Sequence, residues 1–191
     1  MRSLCVFCGA NSGDDPAYLA LARQVGTLIA GRGLTLVYGG GRVGLMGALA
    51  DAALLSGGRV IGVIPRLLMD REAGHAGLSE LRVVETLSQR KLLMGELSDA
   101  FLTLPGGIGT LDELFEAWTW TQLDLHDKPC ALLNHGGYFD ALIGFLDHAT
   151  REGFLRPRHR AALRIGSDAA TLLDELAQAG RRSCAPETVA V

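Results

Sequence analysis

The residues most able to do chemistry lie together at Leu104-Pro105-Gly106-Gly107-Ile108-Gly109-Thr110-Leu111-Asp112-Glu113. An apolar run at residues 100–104 reads as a strand, and an amphipathic helical pattern follows the glycines. Three glycines allow close approach of the backbone to a bound group. A helix start behind them offers unpaired N–H groups and a positive dipole end, so a phosphate is the natural guest. Glu113, one turn in, then stands beside a phosphorylated ligand. The segment lacks the Gly-Lys-Ser/Thr ending of a P-loop, which argues against nucleoside triphosphate hydrolysis. Thr110-x-x-Glu113 also has the form of a capping box, worth about 1 kcal/mol of helix stability. Sequence alone does not separate a cap from a catalytic acid.

A second glycine cluster runs Gly39-Gly40-Gly41-Arg42-Val43-Gly44-Leu45-Met46-Gly47. Gly39, Gly41 and Gly44 satisfy G-x-G-x-x-G, but the cluster follows the second strand rather than the first. The next strand ends in Pro65-Arg66, with no acid to hold a ribose diol, which argues against a dinucleotide. A tight strand-to-helix turn, or one wall of a nucleotide pocket, are the readings left.

Arg90 and Lys91 are placed unusually. With Ser88 as the N-cap, both cations fall in a first helical turn, where the dipole disfavours them by some tenths of a kcal/mol. A bound anion would reverse that preference; a solvated basic pair is the plain alternative. Arg71-Glu72 lies in a connection that is long for an α/β unit. His75, His126, His135, His148 and His159 show no ligand spacing, and no metal site is expected. Cys5 and Cys8 have CxxC spacing inside an apolar strand, where side chains three apart face opposite ways, so buried reduced thiols are expected.

These residues need a frame to hold them. Strand-like runs at residues 3–8, 35–38, 60–64, 81–84, 100–104 and 130–134, with 163–165 as a short edge, alternate with helical patterns. The helices fall at 16–30, 44–55, 89–97, 111–125, 138–152 and 169–179. Continuous apolar strands separated by helices predict a doubly wound, Rossmann-like α/β fold, a parallel sheet sandwiched between helices. Ligands in such folds bind beyond the carboxyl ends of the strands. One domain over residues 1–180 and a flexible tail at 181–191 account for the chain. Its net charge of −3 gives no broad electrostatic case for nucleic acid. No apolar run is long enough to cross a bilayer, and a soluble cytoplasmic protein is expected.

Taken together and in order, these motifs resemble the Lonely guy family of cytokinin riboside 5′-monophosphate phosphoribohydrolases. The signature PGGxGTxxE stands unbroken from Pro105 to Glu113. Cys8-Gly9, Val37-Tyr38-Gly39-Gly40-Gly41, Gly44-Leu45-Met46-Gly47, Ile64-Pro65, Met69-Asp70-Arg71-Glu72, Arg90-Lys91, Ser98-Asp99-Ala100-Phe101 and Thr119-Trp120 agree as well. The resemblance implies hydrolysis of a purine riboside 5′-monophosphate such as AMP to free base and ribose 5-phosphate, with no cofactor. It implies Arg90 and Glu113 as the catalytic pair. It places substrate contacts at Glu72, Lys91, Gly106, Gly107, Ile108, Gly109, Thr110, Leu111, Asp112 and Thr119. It further implies a homodimer; Trp118, Trp120, Leu123 and Leu125 could supply its apolar interface or equally pack within the monomer. Gly9-Ala10-Asn11-Ser12 departs from the Gly-Ser-Ser run of relatives, which puts a hydroxyl contact from position 10 in doubt.

Two other readings stand beside this one. Related sequences carry a lysine decarboxylase label, but a pyridoxal enzyme needs a Schiff-base lysine and an acid for the ring nitrogen. Only Lys91 and Lys128 exist, and Lys128 sits at a strand start, the wrong edge of the sheet. The other reading is a nucleotide-binding carrier module without catalysis.

Overall fold

The computed structural model describes residues 1–69 and 74–183. Seven parallel strands form one sheet: β1 (Ser3–Phe7), β2 (Thr35–Tyr38), β3 (Val60–Pro65), β4 (Glu80–Val84), β5 (Phe101–Thr103), β6 (Cys130–Leu133) and β7 (Leu163–Gly166). Their order is β4-β3-β2-β1-β5-β6-β7. The chain builds outward from β1 to β4, then returns to lay β5 on the other side of β1. The gap between β1 and β5 is thus the topological switch point, where the loops leaving two neighbouring strands diverge and open a crevice. The doubly wound expectation holds.

Among the described residues seven α-helices cover the sheet: α1 (Pro16–Gly31), α2 (Gly44–Leu55), α3 (Leu87–Glu96), α4 (Ile108–Gln122), α5 (Asp140–Arg151), α6 (Pro157–Ala162) and α7 (Ala169–Ser183). Alternation along the strands divides the core in two. Leu4, Val6 and Cys8 join Leu21 and Val25 of α1, Leu49 of α2 and Leu172 of α7. Cys5 and Phe7 face the other way, towards Met94 of α3, Leu114 and Trp118 of α4 and Leu146 of α5. Cys5 and Cys8 are therefore buried on opposite faces of the sheet, not a redox or zinc pair.

Two helix starts differ from expectation. The N-cap of α3 is Thr86, not Ser88: Gln89 N–H donates to Thr86 Oγ1 at 3.1 Å, and Gln89 Oε1 accepts from Thr86 N–H at 3.3 Å. Thr86 wins because its third following residue is a glutamine that can return the bond, whereas Ser88 would have Lys91 there. Arg90 and Lys91 consequently lie beyond the first turn. The other difference is α4, which begins at Ile108 with Gly107 as its N-cap and no side-chain capping bond. Thr110 is already inside the helix, so the expected Thr110–Glu113 capping box does not form.

Helix α5 starts at Asp140, after a 3₁₀ turn over His135–Gly137. Helix α6 was not expected; it has no buried residue, so no apolar stripe marks it in the sequence. Helix α7 runs on to Ser183, into the segment read as tail, and the rest of that segment (184–191) lies outside the described residues.

Candidate active site

A cavity of 380 Å³ opens at the switch point, beyond the carboxyl ends of β1, β2 and β5. Its walls are the segment after β1 (residues 8–13), Gly39 after β2, Leu45 and Met46 of α2, Arg90 of α3, the glycine loop at residues 105–110, and Glu113 of α4. Tyr18 and Tyr138 close its rim.

The loop between β5 and α4 forms the floor. The first N–H groups of a helix have no partner within it, and α4 has no side-chain cap to take them up. Gly107 and Gly109 have open space where a Cβ would stand. The interior of the loop is tight by contrast. A Cβ on Gly106 would lie 2.2 Å from Thr110 Oγ1, which is why Thr110 is buried beneath the loop rather than capping it.

Arg90 is buried and held by backbone. Its Nε donates to Val63 O at 3.1 Å and its Nη2 to Gly39 O at 2.7 Å. The first glycine cluster thus serves the site in two ways. Gly39 brings a carbonyl to the guanidinium, and a Cβ there would stand 2.1 Å from Nη2. Gly44, with φ of 59°, packs where a Cβ would meet Ala10 O at 2.3 Å, joining this loop to the one after β1. With its fork fixed on two carbonyls, Arg90 presents Nη1 to Glu113 Oε1 at 3.9 Å. Both side chains are largely shielded from solvent, at 8% and 13% exposed.

His75 staples the loop after β3 to this assembly. Its N–H donates to Gly40 O at 3.0 Å, and Gly74 pairs with Gly41 in an isolated bridge. Its Nδ1 accepts from Gly77 N–H at 3.1 Å, which leaves Nε2 to donate to Asp51 Oδ1 at 2.9 Å. Among the described residues no group of histidines, cysteines and carboxylates is arranged to hold a metal ion.

Residues 46–176 match the family profile described as "Possible lysine decarboxylase", more than half of the chain. The cytokinin riboside 5′-monophosphate phosphoribohydrolase of Rhodococcoides fascians is 52% identical over 168 residues, covering 87% of this chain and 85% of that protein. The enzyme LOG1 of Arabidopsis thaliana, with the same name, is 45% identical over 175 residues, covering 92% and 82%. The chain belongs to the Lonely guy family. Among solved structures, the molybdenum cofactor carrier protein of Chlamydomonas reinhardtii superposes with a TM-score of 0.70 at 20% identity, over 93% of this chain and 97% of that one. At that identity the likeness concerns the fold alone.

Against this Lonely guy framework, the residues expected from the sequence divide into three groups. Arg90, Gly106, Gly107, Ile108, Gly109, Thr110 and Glu113 line the cavity. Lys91, Leu111, Asp112 and Thr119 are not among its lining residues. Lys91 instead donates to Asp112 Oδ2 at 2.9 Å and also pairs with Glu116, linking α3 to α4. Partial burial would lower its pKa, but the two carboxylates outweigh that and raise it. It is neither a solvated cation nor, within one chain, a cavity residue. Thr119 is exposed further along α4. Glu72 lies outside the described residues.

Leu45 and Met46 of the second glycine cluster line the cavity, as one reading of that cluster expected, and Asn11, Tyr18 and Tyr138 line it without having been singled out. Apolar and aromatic residues carry no spacing signal for a site, and Asn11 drew notice only as part of the departure at residues 9–12. The lysine decarboxylase description finds no support at the cavity. Lys128 lies at the opposite edge of the sheet and donates to Gly95 O at 2.7 Å, and Lys91 is engaged between carboxylates.

Proposed function

We propose that this protein hydrolyses the N-glycosidic bond of a purine riboside 5′-monophosphate of the cytokinin type, releasing free base and ribose 5-phosphate. Relatives at 45–52% identity over most of the chain carry that activity in their names. The observation that carries the reading to these residues is the buried Arg90–Glu113 pair at the head of an uncapped helix.

The 5′-phosphate sits at the head of α4, on the amides of residues 107–110 and beside the Thr110 side chain. Binding there fixes the sugar, so the energy of holding a remote anion is used to orient the reacting centre. The C1′–N9 bond breaks with positive charge building on the ribose ring, as in glycoside hydrolysis. Glu113 faces that charge as a carboxylate and orients the water that adds to C1′. The base leaves with the bonding electrons and takes up a proton at nitrogen, balanced by the proton that the attacking water gives up as its oxygen bonds to C1′. Arg90, immobilised by Gly39 O and Val63 O, holds the phosphosugar and keeps Glu113 aimed. The family resemblance implies a further nucleotide contact at Glu72, which lies outside the described residues, while Lys91 stays paired with Asp112 and Glu116.

The protein acts in the cytoplasm as a homodimer. Buried free thiols at Cys5 and Cys130 suit a reducing compartment. Of the residues considered for an interface, Trp118 is buried and donates to His159 O, whereas Leu123 and Leu125 are exposed. Leu87 and Leu92 of α3 are exposed as well, and such exposed leucines offer apolar surface for a second copy.

Incubation of the purified protein with AMP or isopentenyladenosine monophosphate, followed by chromatography, tests the activity. Free adenine or isopentenyladenine is the expected product, and intact nucleotide after long incubation would refute the proposal. The corresponding nucleosides should be poor substrates, because they lack the group that α4 holds.

A further inference from the structure

The glycine loop has no side-chain cap to fix it, so its shape depends on what grips its carbonyl groups. On one side Gly9 N–H donates to Pro105 O at 3.1 Å, tying the loop to the end of β1. On the other side the Tyr138 hydroxyl donates to Gly106 O at 2.8 Å. Tyr138 belongs to neither strand nor helix of this loop. It reaches across from the turn that follows β6.

Several features hold the ring in place. The turn before it carries Gly136 and Gly137 at φ of 60° and 74°. Asn134 closes the turn, accepting from Phe139 N–H at 2.8 Å and donating to Asp140 Oδ1 at 2.7 Å. The ring meets Tyr18 edge to face, with centroids 5.5 Å apart. Yet Tyr138 is 43% exposed, so core burial does not explain an aromatic residue here. Its one hydroxyl bond to the loop does.

A peptide unit is planar and trans, so its carbonyl and its N–H point in opposite directions. Pinning Gly106 O therefore fixes the plane of the Gly106–Gly107 peptide and with it the Gly107 N–H. Glycines on both sides of this peptide leave its plane free to rotate unless something holds it. We infer that Tyr138 is a positioning residue for the phosphate end of the substrate, its hydroxyl setting the direction of the Gly107 amide. The inference rests on the reading that the 5′-phosphate lies at the head of α4.

The test compares Tyr138→Phe with the unaltered protein, using ribose 5-phosphate and adenine as separate calorimetric probes and AMP as substrate. Loss of the hydroxyl should weaken ribose 5-phosphate binding about fivefold, the scale of one hydrogen bond. KM for AMP should rise by the same factor. Adenine affinity should stay unchanged. Unaltered ribose 5-phosphate binding would overturn the inference. So would a parallel loss of ribose 5-phosphate and adenine binding with a lowered thermal midpoint, which would mark a general brace. A protein that binds ribose 5-phosphate but releases no adenine from AMP would refute the hydrolase reading instead, and the binding comparison would still decide on Tyr138.

Discussion

Arg90 and Glu113 show how far single residues can be read. Their types and the motif around Glu113 were legible in the sequence, but Thr110-x-x-Glu113 was equally legible as a cap. The structure removes the cap, because α4 begins at Ile108 and Thr110 lies inside it. Glu113→Gln should therefore lower kcat by about 1000-fold or more while leaving the thermal midpoint and AMP affinity nearly unchanged. Unfolding of this variant in a melting experiment would restore the capping role. Arg90→Lys keeps the charge but loses the fork that spans Gly39 O and Val63 O, and should lower kcat/KM by roughly 100-fold. A steady-state assay on AMP reads this directly. Lys91 was not legible in the same way. Neighbouring helix residues project about 100° apart, so Arg90 turns to the sheet edge while Lys91 turns to Asp112 and Glu116 on α4. Sequence proximity had paired two side chains that the helix separates.

At the scale of the element, the two glycine clusters do different work. Most strand and helix positions were legible because apolar runs and helical periodicity mark them. What the glycines do depends on neighbours distant in sequence, which no local pattern reveals. Gly39 makes room for the Arg90 guanidinium, so Gly39→Ala should displace that side chain and cost activity well before it costs solubility. Gly109 lies in the first turn of α4 with open space where a Cβ would project. Gly109→Ala should keep the fold, and gain up to about 0.5–1 kcal/mol from helix propensity. It should also lose AMP affinity, because the added methyl intrudes on the phosphate site. Melting curves and AMP titration of the two variants, run side by side, check this pair of outcomes. Equal loss of stability in both would show that the clusters serve packing alone.

At the scale of the whole molecule, the order β4-β3-β2-β1-β5-β6-β7 is what brings the segments after β1, β2 and β5 to one crevice. The doubly wound class was legible from alternation of elements; the placement of Tyr18 and Tyr138 on the rim was not, since it depends on the packing of distant segments. Burial also sets the response to pH. It pushes the Cys130 thiol up to about 11 from 9.0 and raises Cys5 as well. Groups raised on folding stabilise below the unfolded value and lose that contribution as pH climbs. Folding stability should therefore fall between about pH 9 and about pH 11, by up to roughly 3 kcal/mol for Cys130, read as a falling thermal midpoint, and Cys130→Ala should flatten part of that slope. On the acid side burial lowers His126 from 6.5, and stability should decline as pH drops below that value. The central claim is that the fold holds a sugar-borne phosphate at the head of α4 and so sets the anomeric carbon against Glu113. A crystal of Glu113→Gln soaked with AMP tests it most directly. The account predicts the phosphate within hydrogen-bonding reach of the amides of residues 107–110, with C1′ facing residue 113; a phosphate lying away from the tip of α4 would contradict it.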